Sequence, residues 1–115
     1  MTDFDELTDI INNHRDARDW RQFHKPKDLA LSLVLEAAEV LEHFQWKNDE
    51  EVKELMEKKK ENLGEELADV LYWILTLAHD AGIDLKQAFL RKMEINEKKY
   101  PVDKAKGSHK KYTEL

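Results

Sequence analysis

The 115-residue chain has no cysteine, which excludes a disulfide framework, thiolate metal ligands and a thiol nucleophile. It has only three glycines and two prolines. Neither a P-loop nor a Rossmann fingerprint is present, so any phosphate must be held by side chains or metal. No apolar run approaches the ~20 residues of a membrane span. The opening stretch MTDFDELTDI is acidic and lacks the basic and apolar segments of a secretory signal. A cytoplasmic protein without a membrane partner is therefore expected. Positive charge is also short, with 19 Lys and Arg against 25 Asp and Glu and a formal net charge of −6. That balance argues against nonspecific nucleic-acid binding. It leaves phosphorylated small molecules open, because bound divalent cations reverse a local field.

What the chain has in plenty is Glu, Lys, Leu and Ala, a helical composition at a length suited to one domain. Thr2 or Asp3 is placed to cap a first helix over 3–19. Pro26 disfavours helix at Lys25 and makes 20–28 a connection. A second helix is predicted from Lys27 or Asp28 to about Phe44. Asn48 or Asp49 then caps a long or gently broken helix reaching 81, with Gly64 the candidate break. Gly82 has the character of a C-terminal cap, Asp84 opens a fourth helix over 85–100, and Pro101 stops it. The residues beyond form a polar, Lys-rich tail, read as a flexible terminus or a basic flap over an anionic substrate. The expected fold is an all-α, four-helix bundle in a single domain, 1–115. Two of its helices are apolar over most of their circumference and demand neighbours, so a homodimer or homotetramer is expected.

Two acidic pairs stand out by context. Asp69 is the one charge in LADVLYWILTLA (67–78), and Glu66 projects from the same side of the helix. Glu36 and Glu39 interrupt LALSLVLEAAEVL (29–41) in the same way. Spacing alone is weak evidence, since Glu51/Glu54, Glu54/Glu57 and Glu94/Glu97 share it. Each pair by itself is equally compatible with the thin wet edge of an amphipathic helix. If the two edges face each other, four carboxylates converge and require cations or raised pKa values. An all-oxygen donor set selects Mg²⁺, with Mn²⁺ as substitute, over Zn²⁺. Iron is disfavoured, because the Glu-x-x-His pairs of di-iron bundles are missing. These tools suit metal-assisted hydrolysis of a phosphoanhydride. His79-Asp80 resembles the dyad of another phosphohydrolase class, but the further ligands are lacking and the pair closes a helix.

The constellation resembles the MazG-type nucleotide pyrophosphohydrolases, and within them the dCTP pyrophosphatase branch. The residues that carry the likeness are Glu36-x-x-Glu39, Glu66-x-x-Asp69, RDWRQFH at 18–24, EHFQWK at 42–47, KMEIN at 92–96, KKYPV at 98–102 and GSHKKYTEL at 107–115. The resemblance implies Mg²⁺-dependent hydrolysis of a deoxynucleoside triphosphate to the monophosphate and pyrophosphate. It implies Glu36, Glu39, Glu66 and Asp69 as metal ligands, with Glu36 or Glu39 taking the proton from water. Trp20, Phe23, His24, Trp46 and Trp73 become the nucleotide pocket, and Lys92, Asn96 and Lys99 hold the polyphosphate. Trp73 stands where dCTP-specific members have Tyr, and Ile11 where they have His. Fewer hydrogen-bond partners imply broader base choice, with dCTP or dATP favoured. The rival from another class is a noncatalytic helical oligomerisation module whose acids only face solvent.

Overall fold

The computed structural model describes all 115 residues and is all-α. Its helices are α1 (Asp3–Ala17), α2 (Pro26–Glu42), α3 (Asp49–Lys58), α4 (Lys60–Asp80), α5 (Leu85–Lys99) and α6 (Val102–Ala105), with short 3₁₀ turns at Arg21–Phe23 and Tyr112–Glu114. No helix is long and apolar enough to cross a membrane. The chain forms two compact units, Met1–Gly82 and Ile83–Leu115.

Six helices replace the four expected. One difference is the break between α3 and α4, which falls at Lys59 rather than Gly64. Lys59 leaves helical geometry at φ −121°, ψ 32°, within a run of three lysines that gives the helix no apolar anchor. Gly64 lies inside α4, and a methyl group added there would meet nothing within 4 Å. The other addition is α6, one short turn in the stretch read as a tail.

Capping follows local chemistry. Thr2 caps α1 and Asn48 caps α3, each in a reciprocal capping box with Asp5 or Glu51 three residues on. Pro26 takes the first position of α2, where its fixed φ suits the helix and its missing N–H is not needed. Gly82 follows the end of α4 at φ 69°, a conformation that favours glycine.

In the first unit α2 packs along α4, α1 lies against α4, and α3 touches α4. The buried apolar residues Ile11, Leu29, Leu55, Leu75 and Ala78 come from all four. That is a thin core for these helices. On α2, Leu31, Val34, Leu35 and Leu41 form an outward stripe, exposed by 54%, 64%, 58% and 65%. In the second unit Asp84 caps α5 by accepting from the Gln87 N–H. The terminal segment folds back within this unit. Tyr112 meets the Tyr100 ring edge-on at 6.1 Å and lies 4.7 Å from the Lys99 ammonium.

Candidate active site

The pairing of α2 with α4 brings the two acidic edges together. Oxygen atoms of Glu36, Glu39 and Glu66 all lie within 4.8 Å of one another. Asp69, one turn beyond Glu66 on α4, is close enough that its charge acts on both Glu36 and Glu66. Partial burial holds the Glu36 carboxyl above the usual range, and Glu39 and Asp69 push it further; the Trp73 indole opposes them. Glu66 is raised first by contact with the Glu39 carboxyl, then by burial and by Asp69, with His43 opposing. The His43 Nε2 lies 3.9 Å from a Glu66 oxygen. One oxygen each of Glu36 and Glu66 is buried and has no hydrogen-bond partner. Carboxylates gathered against their own repulsion, with donorless oxygens, fit a hard divalent cation.

Beside the acids opens a pocket of about 420 Å³ lined by Ile10, Ile11, His14, Trp20, Glu36, Asp69, Tyr72 and Trp73. Aromatic rings meet edge-on along its wall. Trp73 contacts Tyr72 at 4.8 Å, Tyr72 contacts His14 at 6.4 Å, and His14 contacts Trp20 at 5.4 Å. Burial raises the Tyr72 phenol above its ordinary value, so it stays a neutral donor. Flat faces with a few polar groups, next to acids that fit a cation, are what a nucleobase joined to a polyphosphate requires.

The loop after α1 is tied back to that helix. The Trp20 N–H donates to the Arg15 carbonyl at 2.9 Å, and Arg21 forms a two-pronged ion pair with Asp16. Trp20 is thereby set at the pocket. His24 is not among the lining residues; its ring is edge-on to Trp73 at 5.6 Å and hydrogen-bonded to Arg15. Phe23 and Trp46 are exposed by 63% and 92% and do not line the pocket. Trp46 sits in the turn after α2 at φ 66°, strained for a bulky residue. Lys92, Asn96 and Lys99 share one face of α5 in the second unit, Asn96 and Lys99 half-buried.

The MazG-like family model matches residues 31–115. The chain belongs to that family. It is 44% identical over 114 residues to dCTP pyrophosphatase 1 of Bos taurus, covering 95% of this chain and 68% of that protein. The Homo sapiens protein of the same name gives 44% identity, with 95% and 67% covered. Among solved structures, a pyrophosphatase from Archaeoglobus fulgidus superposes with a TM-score of 0.82 at 45% identity, covering 88% of this chain and 94% of that one. The MazG likeness read from the acidic pairs and the aromatic stretches is therefore correct.

Sequence reading missed four features. His14, Ile10 and Tyr72 were not assigned to the pocket, although His14 and Tyr72 bring polar atoms to its wall. Arg15 is 1% exposed, and its partner is Asp80. Their pairing spans 65 residues and leaves no local signal.

Proposed function

We propose that this protein is a Mg²⁺-dependent nucleotide pyrophosphohydrolase that converts deoxynucleoside triphosphates, dCTP or dATP by preference, to the monophosphate and pyrophosphate. The observation that carries the reading is the Glu36, Glu39 and Glu66 cluster at the edge of an aromatic pocket. The names of its relatives support pyrophosphatase chemistry, and dCTP among the substrates.

Glu36, Glu39, Glu66 and Asp69 would hold the cation. When bound, Mg²⁺, or Mn²⁺ in its place, neutralises the polyphosphate and supplies Lewis acidity. Water attacks the α-phosphorus in line, the bond to the bridging oxygen breaks, and pyrophosphate leaves. The proton of the attacking water passes to Glu36 or Glu39, whose crowding suits a general base. Trp20, His14, Tyr72 and Trp73 enclose the base, and Lys92, Asn96 and Lys99 are assigned to the polyphosphate. With Ile11 a buried aliphatic, the polar reading of the base falls to His14 and Tyr72.

A homodimer or homotetramer completes the site. The outward stripe on α2 is apolar along its length and suits a second copy. The exposure of Trp46 and Phe23 leaves them free for a neighbouring copy's nucleotide, the role assigned to them. The whole chain acts as one domain in the cytoplasm, on free nucleotides rather than nucleic acid.

Incubation with each nucleoside triphosphate and Mg²⁺, followed by pyrophosphate measurement with and without chelator, tests this. Chelator-sensitive release that disappears in folded Asp69→Asn and Glu39→Gln proteins supports the enzyme. No turnover on any nucleotide supports the noncatalytic module.

A further inference from the structure

We propose that Arg15 is a positioning residue for the pocket wall: clamped to Asp80, it fixes the His24 ring, and His24 in turn fixes the Trp73 indole. The proposal rests on the nucleotide reading of the pocket, and it concerns how that pocket keeps its shape.

A guanidinium 1% exposed is costly to bury unless paired. Arg15 donates from Nη2 to one Asp80 oxygen at 2.5 Å and from Nη1 to the other at 3.0 Å. The remaining Nη1 hydrogen points to His24 Nδ1 at 3.2 Å. Arginine has no acceptor, so Nδ1 must accept and the ring proton must sit on Nε2. One planar fork thus sets the tautomer, position and plane of the imidazole. Lysine has no such fork and cannot satisfy the carboxylate and the ring in one fixed plane.

The His24 ring meets Trp73 edge-on at 83°. From Trp73 the edge-on contacts run through Tyr72 and His14 to Trp20, and these four residues line the pocket. Glu36 lines it too, and the Trp73 indole acts on that carboxyl. The ion pair therefore stands at the inner end of a row of rings whose outer members would touch substrate. Stability alone does not call for it, since buried ion pairs are often replaceable by apolar residues without loss. A fixed wall does.

The charged groups facing His24 are Arg15 on α1, Arg21 in the 3₁₀ turn and Asp80 at the end of α4. Burial first, then Arg15 and Arg21, hold its pKa below the ordinary histidine value, and Asp80 opposes them. The ring consequently stays neutral through the physiological range.

Imidazole ¹⁵N NMR on the intact protein, with the His24 signals assigned through His24→Gln, reads the first link. A pure Nε2–H tautomer that protonates only below the ordinary histidine range is expected; a proton on Nδ1 or two averaged tautomers overturns the proposal. In Arg15→Lys, which keeps the positive charge but loses the fork, both tautomers should appear while the ring still protonates below the ordinary histidine range. The same variant should raise KM for dCTP about three- to tenfold, with kcat and the half-saturating Mg²⁺ concentration within about twofold. A variant that loses thermal stability but keeps the wild-type KM shows a merely structural pair and sinks the idea. Asp80→Asn, which keeps the cation and loosens the clamp, gives the same readouts if Arg15→Lys does not fold. Absence of dCTP and dATP hydrolysis by the wild type refutes the nucleotide reading instead, and the tautomer measurement still decides the network.

Discussion

Removing a carboxylate from the acidic cluster should make the metal-free protein more stable. Oxygens of Glu36, Glu39 and Glu66 lie within 4.8 Å of one another, where two unit charges repel by about 0.9 kcal/mol in water and about 3.5 kcal/mol at an effective dielectric of 20. Glu36 is only partly buried, so solvent screening favours the lower end, ~1 kcal/mol. Its folded-state pKa is raised, so the folded protein binds the proton more tightly than the unfolded chain does. The penalty is absent below the unfolded value of about 4.3, grows as pH rises through the folded value, and is complete above it. In chelator at pH 7.5, Glu36→Gln should therefore melt about 4 °C above wild type, and the gap should close near pH 4. Saturating Mg²⁺ should reverse the order. At 100 times its Kd, a cation stabilises the wild type by about 2.7 kcal/mol, and the variant gains little. Calorimetry across pH, with chelator and with Mg²⁺, reads all three effects. A variant that melts at or below wild type in chelator at pH 7.5, with no Mg²⁺ response in either protein, refutes the convergence argument.

Other expectations follow from single sites. Gly64→Ala should stabilise by about 0.5–1 kcal/mol in denaturant titration, because Gly64 lies within α4 and an added methyl group meets only open space. Leu35→Glu puts a charge on the apolar stripe of α2 and should convert the proposed oligomer to monomer in sedimentation velocity; a monomeric wild type or an unchanged mass contradicts the proposed interface. His14→Leu keeps bulk in the pocket but removes both ring nitrogens. It should lower kcat/KM for the preferred nucleotide about tenfold and narrow the ratio between bases, whereas unchanged ratios would remove His14 from base reading.

Local signals carried much of the fold. Apolar periodicity, the Asn48 and Asp84 caps, Pro26 and Gly82 placed the major helices to within a few residues. The break at Lys59 was not legible, because no Gly or Pro marks it and Gly64 offered a more conventional signal. The acidic cluster was visible because Glu36, Glu39 and Asp69 are charges set among Leu, Val and Ala, and Glu66 shares a helix side with Asp69. Which residues wall the pocket was far less accessible. His14 lies inside the first helix with no local signal of a pocket, and Trp46 read as a pocket residue although a single chain leaves it in solvent. The Arg15–Asp80 pair joins the last turn of α1 to the end of α4, a contact that no periodicity or motif encodes. His79-Asp80 drew notice as a possible dyad, while the true partner of Asp80 lay 65 residues away.

The most direct test of the shared site is Mn²⁺ binding followed by electron paramagnetic resonance in Glu39→Gln, Glu66→Gln and the double variant. Glu39 comes from α2 and Glu66 from α4, so one ion held by both helices should lose nearly all its affinity in either single variant. The second substitution should then add little. Independent, additive losses from the two helices, or wild-type binding in either single variant, would contradict a cation held jointly by α2 and α4.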